Sequence, residues 1–224
     1  MYRVGYAPEP WAWTPWQFAD DGRFIGRWDD PDGRWRSLYV GQSQLVCFLE
    51  VLAVFRPDRR VAEDLAGIEE DPEDARDYPS APPGALDRRW LESRRLGTAA
   101  LHGWYAQPGE KESLPTLRSR FLALATHHQL PDVDASAIRT AEPRAFTQAI
   151  AAWLYQQTGP DGRPLAGVAF ESRHGDGLSM WALFEQPDDG DVSGFLRSTV
   201  AHHIAPDDPS LLQAMALHRI AWRD

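Results

Sequence analysis

The sequence predicts a single domain of mixed α/β or α+β class spanning residues 1–224. Three observations lead there. Strand-like and helix-like runs are interspersed along the chain, with no Walker or Rossmann glycine signature. Two stretches, Leu114 to His128 and Glu142 to Gln157, repeat apolar residues at helical spacing. Leu165 to Ser172 and Ser179 to Glu185 read as the two strands of a hairpin joined by RHGDGL.

In chain order, Tyr2 to Val4 reads as a short strand. An irregular segment follows, rich in tryptophan (Trp11, Trp13, Trp16, Trp28) and proline (Pro8, Pro10, Pro15). These tryptophans are expected to cap a core; the functional alternative is that one stacks on a flat ligand ring. Asp29 to Gly33 (DDPDG) is a turn by composition, and Ser37 to Val40 is a short strand. Ser43 suits the N-cap of a helix running to about Val54, with Pro57 just past its end. Val61 to Ile68 reads as strand or helix, and the acidic, proline-rich Glu69 to Pro83 as a solvated loop.

Leu86 to Arg95 is expected as a short helix with Trp90 and Leu91 facing inward, and Thr98 to Tyr105 as a strand. Leu117, Phe121 and Leu124 mark the inner face of the next helix. Phe146, Ile150, Trp153 and Leu154 mark that of the one after it, with Pro143 near its first turn. Gly159 to Arg163 is a turn, Pro206 to Ala216 a helix, and Leu217 to Trp222 a last strand.

A net charge of −10 argues against a general nucleic-acid surface, which needs a basic face. It leaves room for a small anion held by local arginines. One cysteine, Cys47, permits no internal disulfide framework. The opening MYRVGYAPEPWAW lacks the pattern of a signal peptide, and no apolar run is long enough to span a membrane. The cytoplasm is the expected location.

The stretch with most chemistry runs from Arg23 to Phe55. From Leu45 to Phe55 every residue except Glu50 is apolar, so the helix should be buried with one carboxylate inside it. An unpaired buried charge costs roughly several kcal/mol, so Glu50 should be paired or functional. Arg23, Arg27, Arg34 and Arg36 precede it. The combination reads as the wall of an anion site with an acid at its floor.

Val168, Phe170 and Ser172 share one strand face by alternation, and Ser172 ends that face. No G-x-S-x-G elbow surrounds it, which disfavours a hydrolase nucleophile. The pairs His127/His128 and His202/His203 lack zinc-site spacing, and Cys47 reads as core packing. No metal is called for.

Five stretches in register resemble the RES family, named for an Arg, a Glu and a Ser. MYRVG is similar to its first strand and gives Arg3; GRWDDPDGRWRSLYVGQS gives Arg27 and Tyr39. CFLEVLAVFRP gives Glu50, and GVAFESRHGDGLSMWALFE gives Ser172. DRRWLESRRLG and FTQAIAAWLY are similar to the middle landmarks. Two departures are Glu171, where a neutral or basic neighbour is usual, and Trp28, where phenylalanine is.

The resemblance implies an α+β fold similar to ADP-ribosyltransferase toxins, a split, twisted β-structure flanked by helices around an NAD cleft. It implies NAD as substrate, cleaved at the nicotinamide–ribose bond by water or inorganic phosphate: a hydrolase or glycosyltransferase, in many members the toxin of a toxin–antitoxin pair. The partner would then be an antitoxin with a helix-turn-helix domain. Under this reading Arg3 and Arg27 hold the pyrophosphate, with Arg36 a weaker candidate. Glu50 stabilises the cationic ribose, Tyr39 stacks on or bonds nicotinamide, and Ser172 fixes the ribose or Glu50. The alternatives are a protein mono-ADP-ribosyltransferase using the same cleft, and a non-catalytic interaction domain in which Arg27 and Glu50 are a structural pair.

Overall fold

A computed structural model describes residues 1–57, 84–140 and 142–223. The strand or helix expected at Val61 to Ile68 and the acidic loop after it lie outside the described residues. Seven strands form one curled sheet: β1 (Tyr2–Tyr6), β2 (Ser37–Gly41), β4 (Arg94–Leu101), β5 (Tyr105–Ala106), β6 (Gly167–Glu171), β7 (Ser179–Phe184) and β8 (Leu196–His202). Their order across the sheet is β5-β6-β7-β2-β1-β4-β8. Only β5 and β6 run parallel, so the α+β expectation holds. β3 (Ala85–Leu86) and β9 (Ala221–Trp222) make a separate parallel pair. The helices are α1 (Gln44–Leu52), α2 (Arg89–Glu92), α3 (Leu114–His127), α4 (Ala135–Arg139), α5 (Arg144–Tyr155) and α6 (Pro209–His218).

The sheet is split at its centre. β1 pairs with β4 along its length but meets β2 only where Tyr2 faces Gly41. Past that point the Arg3 guanidinium fills the gap. Its Nε donates to the Pro10 carbonyl at 2.7 Å and one terminal nitrogen donates to the Tyr39 carbonyl at 2.8 Å. A side chain thus satisfies groups that a strand ladder would otherwise serve. Burial pulls the Arg3 pKa down to about 10.

One face of the sheet carries two apolar clusters. α3 and α5 supply Leu117, Phe121, Phe146, Ile150 and Leu154 to the first. α1 and α6 supply Val46, Phe48, Leu49, Leu52, Leu211 and Met215 to the second. Trp11 and Trp13 cover the other face with Leu38, Val40 and Leu196. Tyr39 and Phe170 pack against both helical clusters, so a seam between them crosses β2 and β6. Residues 204–220 contribute Ile204, Leu211, Ala214, Met215 and Ile220 to the same core as α1.

Helix α1 forms as its sequence dictates. The Ser43 hydroxyl accepts from the Val46 amide at 3.3 Å, and apolar side chains bury most of its surface. It lies close on β2: a Cβ at Gly41 would come within 2.3 Å of Val46, so only glycine fits there. The helix proper stops at Leu52, short of Val54, and a 3₁₀ turn (Ala53–Phe55) follows.

Several expected elements come out differently. The helix expected at Leu86 to Arg95 is only Arg89–Glu92, because Leu86 pairs with Trp222 and Arg94 already opens β4. Pairing with β1 and β8 on both sides overrides local helix preference in so short a run. The strand expected from Thr98 therefore starts earlier, breaks after Leu101, and resumes as β5 at the far edge. α4 and β8 carry no periodic signal: α4 is one turn capped by Asp134, and β8 is an edge strand that buries only Leu196. The last helix takes in Leu217, leaving β9 only Ala221 and Trp222. No helix among the described residues is long and apolar enough to cross a membrane.

Candidate functional site

A cavity of about 170 Å³ opens on the seam, lined by Arg27, Tyr39, Glu50, Arg144, Phe170 and Arg173 together with Gly26 and Met180. Five elements meet there: the loop before β2, β2 itself, α1, the start of α5, and the end of the β6–β7 hairpin.

Glu50 sits at the floor, its side chain 29% exposed within an otherwise buried helix. The Ser172 hydroxyl donates to Glu50 Oε1 at 2.6 Å and accepts from the His174 amide at 3.0 Å. The direction of the serine hydrogen is therefore fixed, because an N–H can only donate. Ser172 is buried and committed at both ends, which fits positioning rather than nucleophilic attack. A hydrogen bond to an ionised carboxylate stabilises by about 1.5–3 kcal/mol.

Arg27 packs its guanidinium carbon 4.9 Å above the Phe170 ring and donates to the Arg139 carbonyl at 3.0 Å. Burial lowers its pKa, and Tyr39 and Glu50 oppose that shift. No ion pair joins Arg27 to Glu50; they face one cavity without touching. The loop that carries Arg27 is tightly specified. Asp29, buried, accepts from the Gly26 amide through Oδ2 at 2.5 Å and from the Tyr39 hydroxyl through Oδ1 at 3.0 Å. Burial raises the Asp29 pKa, and these hydrogen bonds work against that. A Cβ at Gly26 would fall 2.4 Å from the Tyr39 hydroxyl oxygen and 2.6 Å from Asp29 Oδ2.

The family model for the RES domain matches residues 1–199. The chain belongs to the RES domain family. No curated protein and no solved structure matches it.

Of the residues expected at the site, this RES domain brings Arg27, Tyr39 and Glu50 to one cavity and ties Ser172 to its floor. The Tyr39 hydroxyl is already used: it accepts from the Trp28 amide at 3.0 Å as well as donating to Asp29. Burial and the neighbouring Asp29 raise its pKa well above the ordinary value. Its ring, not its oxygen, is what remains for a ligand.

Arg3 does not line this cavity. Its neighbour Val4 packs with α1, and alternation turns Arg3 toward the split and the Trp13 side. Arg36 is also elsewhere, in a two-point ion pair with Glu185 beneath Trp13 and Trp16. Arg34 pairs with Asp30 and Arg23 with Asp21, so one of the four arginines in that stretch reaches the site. The buried tryptophans cap cores, and the aromatic rings at the cavity are those of Tyr39 and Phe170.

Four contributors escaped sequence reasoning: Asp29, Phe170 as a ring beneath Arg27, and the arginines Arg144 and Arg173. Arg144 did leave a trace. It opens α5, where a cation opposes the helix dipole and so invites another explanation. It donates to Glu142 at 3.0 Å and to the Ile25 carbonyl, which anchors the Arg27 loop. Asp29 was hidden by its composition: DDPDG reads as a turn, yet two of its aspartates are buried.

Proposed function

We propose that this RES domain consumes NAD by cleaving its nicotinamide–ribose bond, with water or inorganic phosphate as acceptor. The observation that carries the reading is the pairing, in one cavity, of the Ser172-bound Glu50 carboxylate with Arg27, Arg144 and Arg173. The cavity volume of about 170 Å³ is below the ~300–1,000 Å³ of ordinary small-ligand pockets, so it suits one end of the dinucleotide.

Cleavage passes through a ribose with oxocarbenium character, and neutral nicotinamide departs without a strong acid. Arg27, Arg144 and Arg173 suit the pyrophosphate, because a guanidinium grips phosphate oxygens in pairs. Glu50 suits the developing positive charge at the anomeric carbon, where a fixed carboxylate stabilises the transition state. Ser172 holds that carboxylate. Tyr39 and Phe170 offer rings for the nicotinamide. A toxin held by a helix-turn-helix antitoxin is the setting this family membership suggests.

The absence of an Arg27–Glu50 ion pair weighs against the non-catalytic alternative, in which those two would be a structural pair. Protein ADP-ribosylation uses the same cavity and differs only in the acceptor. The test is nicotinamide release by the purified protein with and without phosphate, and with a candidate protein target. Glu50→Gln is expected to lower release by about 10²–10³-fold while the fold persists. Parent-rate NAD consumption by Glu50→Gln would falsify the assignment. A mass increment on a target protein, with no free ADP-ribose, would move the function to protein modification.

A further inference from the structure

We propose that His174 is a positioning residue for Glu50, setting carboxylate oxygen Oε2 while Ser172 sets Oε1. The proposal rests on the NAD-cleaving reading above and deepens it.

β6 ends at Glu171, Ser172 follows it directly, and His174 lies in the turn after that, which brings the imidazole beside the acid. The His174 side chain is 2% exposed, with Nε2 lying 3.7 Å from Glu50 Oε2. That Nε2 is buried and has no hydrogen-bond partner among the described residues, an arrangement that native interiors seldom tolerate without a reason. The carboxylate oxygen it faces is Oε2, whereas Ser172 bonds Oε1. Closing the gap takes a displacement of under about 1 Å to reach ordinary hydrogen-bond length.

What backs the imidazole is equally specific. The His218 ring packs against His174 with centroids 5.3 Å apart. His218 Nε2 lies 2.7 Å from the Leu49 carbonyl, which can only accept, so it carries the hydrogen. His218 Nδ1 then holds the lone pair that accepts from Arg56 Nε at 2.9 Å. Both partners fix His218 as the neutral tautomer, and it serves as a rigid wall behind His174. Leu49 lies on α1 and Arg56 just past the 3₁₀ turn that follows it, so this network ties α6 to the helix that carries the acid.

The titratable groups that face His174 are Glu50 from α1, Arg56 from the segment after it, its neighbour Arg173, and His218 from α6. Burial lowers the His174 pKa first; Glu50 raises it, and the two arginines and His218 lower it further. Burial therefore favours the neutral imidazole, whose Nε2–H tautomer faces Oε2 as a donor. No proton or bond is transferred: His174 only restricts carboxylate rotation. In acid it becomes a cation paired with Glu50, which cancels the negative field the ribose cation needs.

Two measurements decide the matter. First, the imidazole of His174 is titrated by NMR in the parent and in Glu50→Gln, its signal assigned by its loss in His174→Gln. Removing the facing carboxylate should lower the midpoint by about half a pH unit or more. An unchanged midpoint refutes the contact, whatever the protein's activity. Second, nicotinamide release is followed from pH 5 to 8.5. His174→Ala should lose about tenfold in kcat with KM within about twofold. His174→Gln, which keeps a donor but cannot titrate, should restore most of kcat and shift the acid limb to lower pH. A His174→Ala protein with parental kcat and parental pH profile overturns the proposal, and so does a His174→Gln protein whose acid limb is unmoved. If the parent releases no nicotinamide, the NAD reading and the catalytic part of this one both fall, while the titration still decides the contact.

Discussion

Ser172 joins the end of β6 to the sole acid of α1, its hydroxyl hydrogen directed at Glu50 Oε1 across 2.6 Å. Because the His174 amide occupies the serine oxygen from the other side, this hydroxyl cannot turn away. Ser172→Ala is expected to reduce kcat for nicotinamide release by about tenfold, near 1.4 kcal/mol, with a smaller change in KM. Steady-state kinetics on the folded variant check it; equal kcat would make the serine a merely satisfied hydroxyl.

Gly26 owes its identity to crowding. A methyl group there meets the Tyr39 hydroxyl and the Asp29 carboxylate, so Gly26→Ala must push apart the contacts that aim Arg27. Overpacking of this kind costs about 1–3 kcal/mol. Isothermal titration with an uncleaved NAD analogue should show weakened binding along with a lowered melting temperature. Unaltered affinity would mean that the loop does not aim Arg27.

Arg3 stands in the split and bonds two carbonyls. Arg3→Ala leaves both unserved, and with about 1.5–3 kcal/mol for each charged hydrogen bond it should lower unfolding free energy by at least about 3 kcal/mol. Urea titration measures this. The opposite pattern, normal stability with NAD affinity lost, would return Arg3 to the ligand.

The Cys47 thiol is buried against β2, contacts the Tyr2 carbonyl at 3.1 Å, and is pushed by burial up to about 12. Thiolate is the reactive form, so the native protein should resist iodoacetamide at pH 8 and react once unfolded in urea. Mass spectrometry of the 224-residue chain reads the outcome directly. Rapid native labelling would contradict this burial.

The stability of the fold should also depend on pH through His174. Burial holds its folded pKa below the ordinary 6.5. Below that value the unfolded chain binds more protons than the folded one, so stability is present above about pH 6.5 and is lost as the pH falls through the lower folded value. Unfolding free energies at pH 7.5 and 5.5 should differ more in the parent than in His174→Gln. Equal differences would show that another group governs the acid side.

Local chemistry made much of this protein legible. Ser43 caps α1 by its own hydroxyl, Leu117 and Phe121 announce α3 by their spacing, and the hairpin around RHGDGL follows from alternation. Glu50 was conspicuous as the one acid in an apolar run, and Ser172 as the polar end of a strand face. Elements stabilised by partners instead of by their own pattern were not legible. β8 is held by β4 and shows no burial alternation, while Arg94 enters a strand because β1 lies beside it.

The sequence by itself determined which residues could do chemistry: an acid that must be buried, arginines close before it, and a serine at the end of a strand. Only the tertiary structure decided which of them meet. Arg3 went to the split, Arg36 to Glu185, and Arg144 and Arg173 came to the cavity in their place. The reason is physical. Side-chain type and spacing fix local geometry over a few residues, whereas a guanidinium's final partner is set by sheet register and helix packing across more than a hundred residues of chain. The 122 positions separating Glu50 from Ser172 carry no local signal of their hydrogen bond.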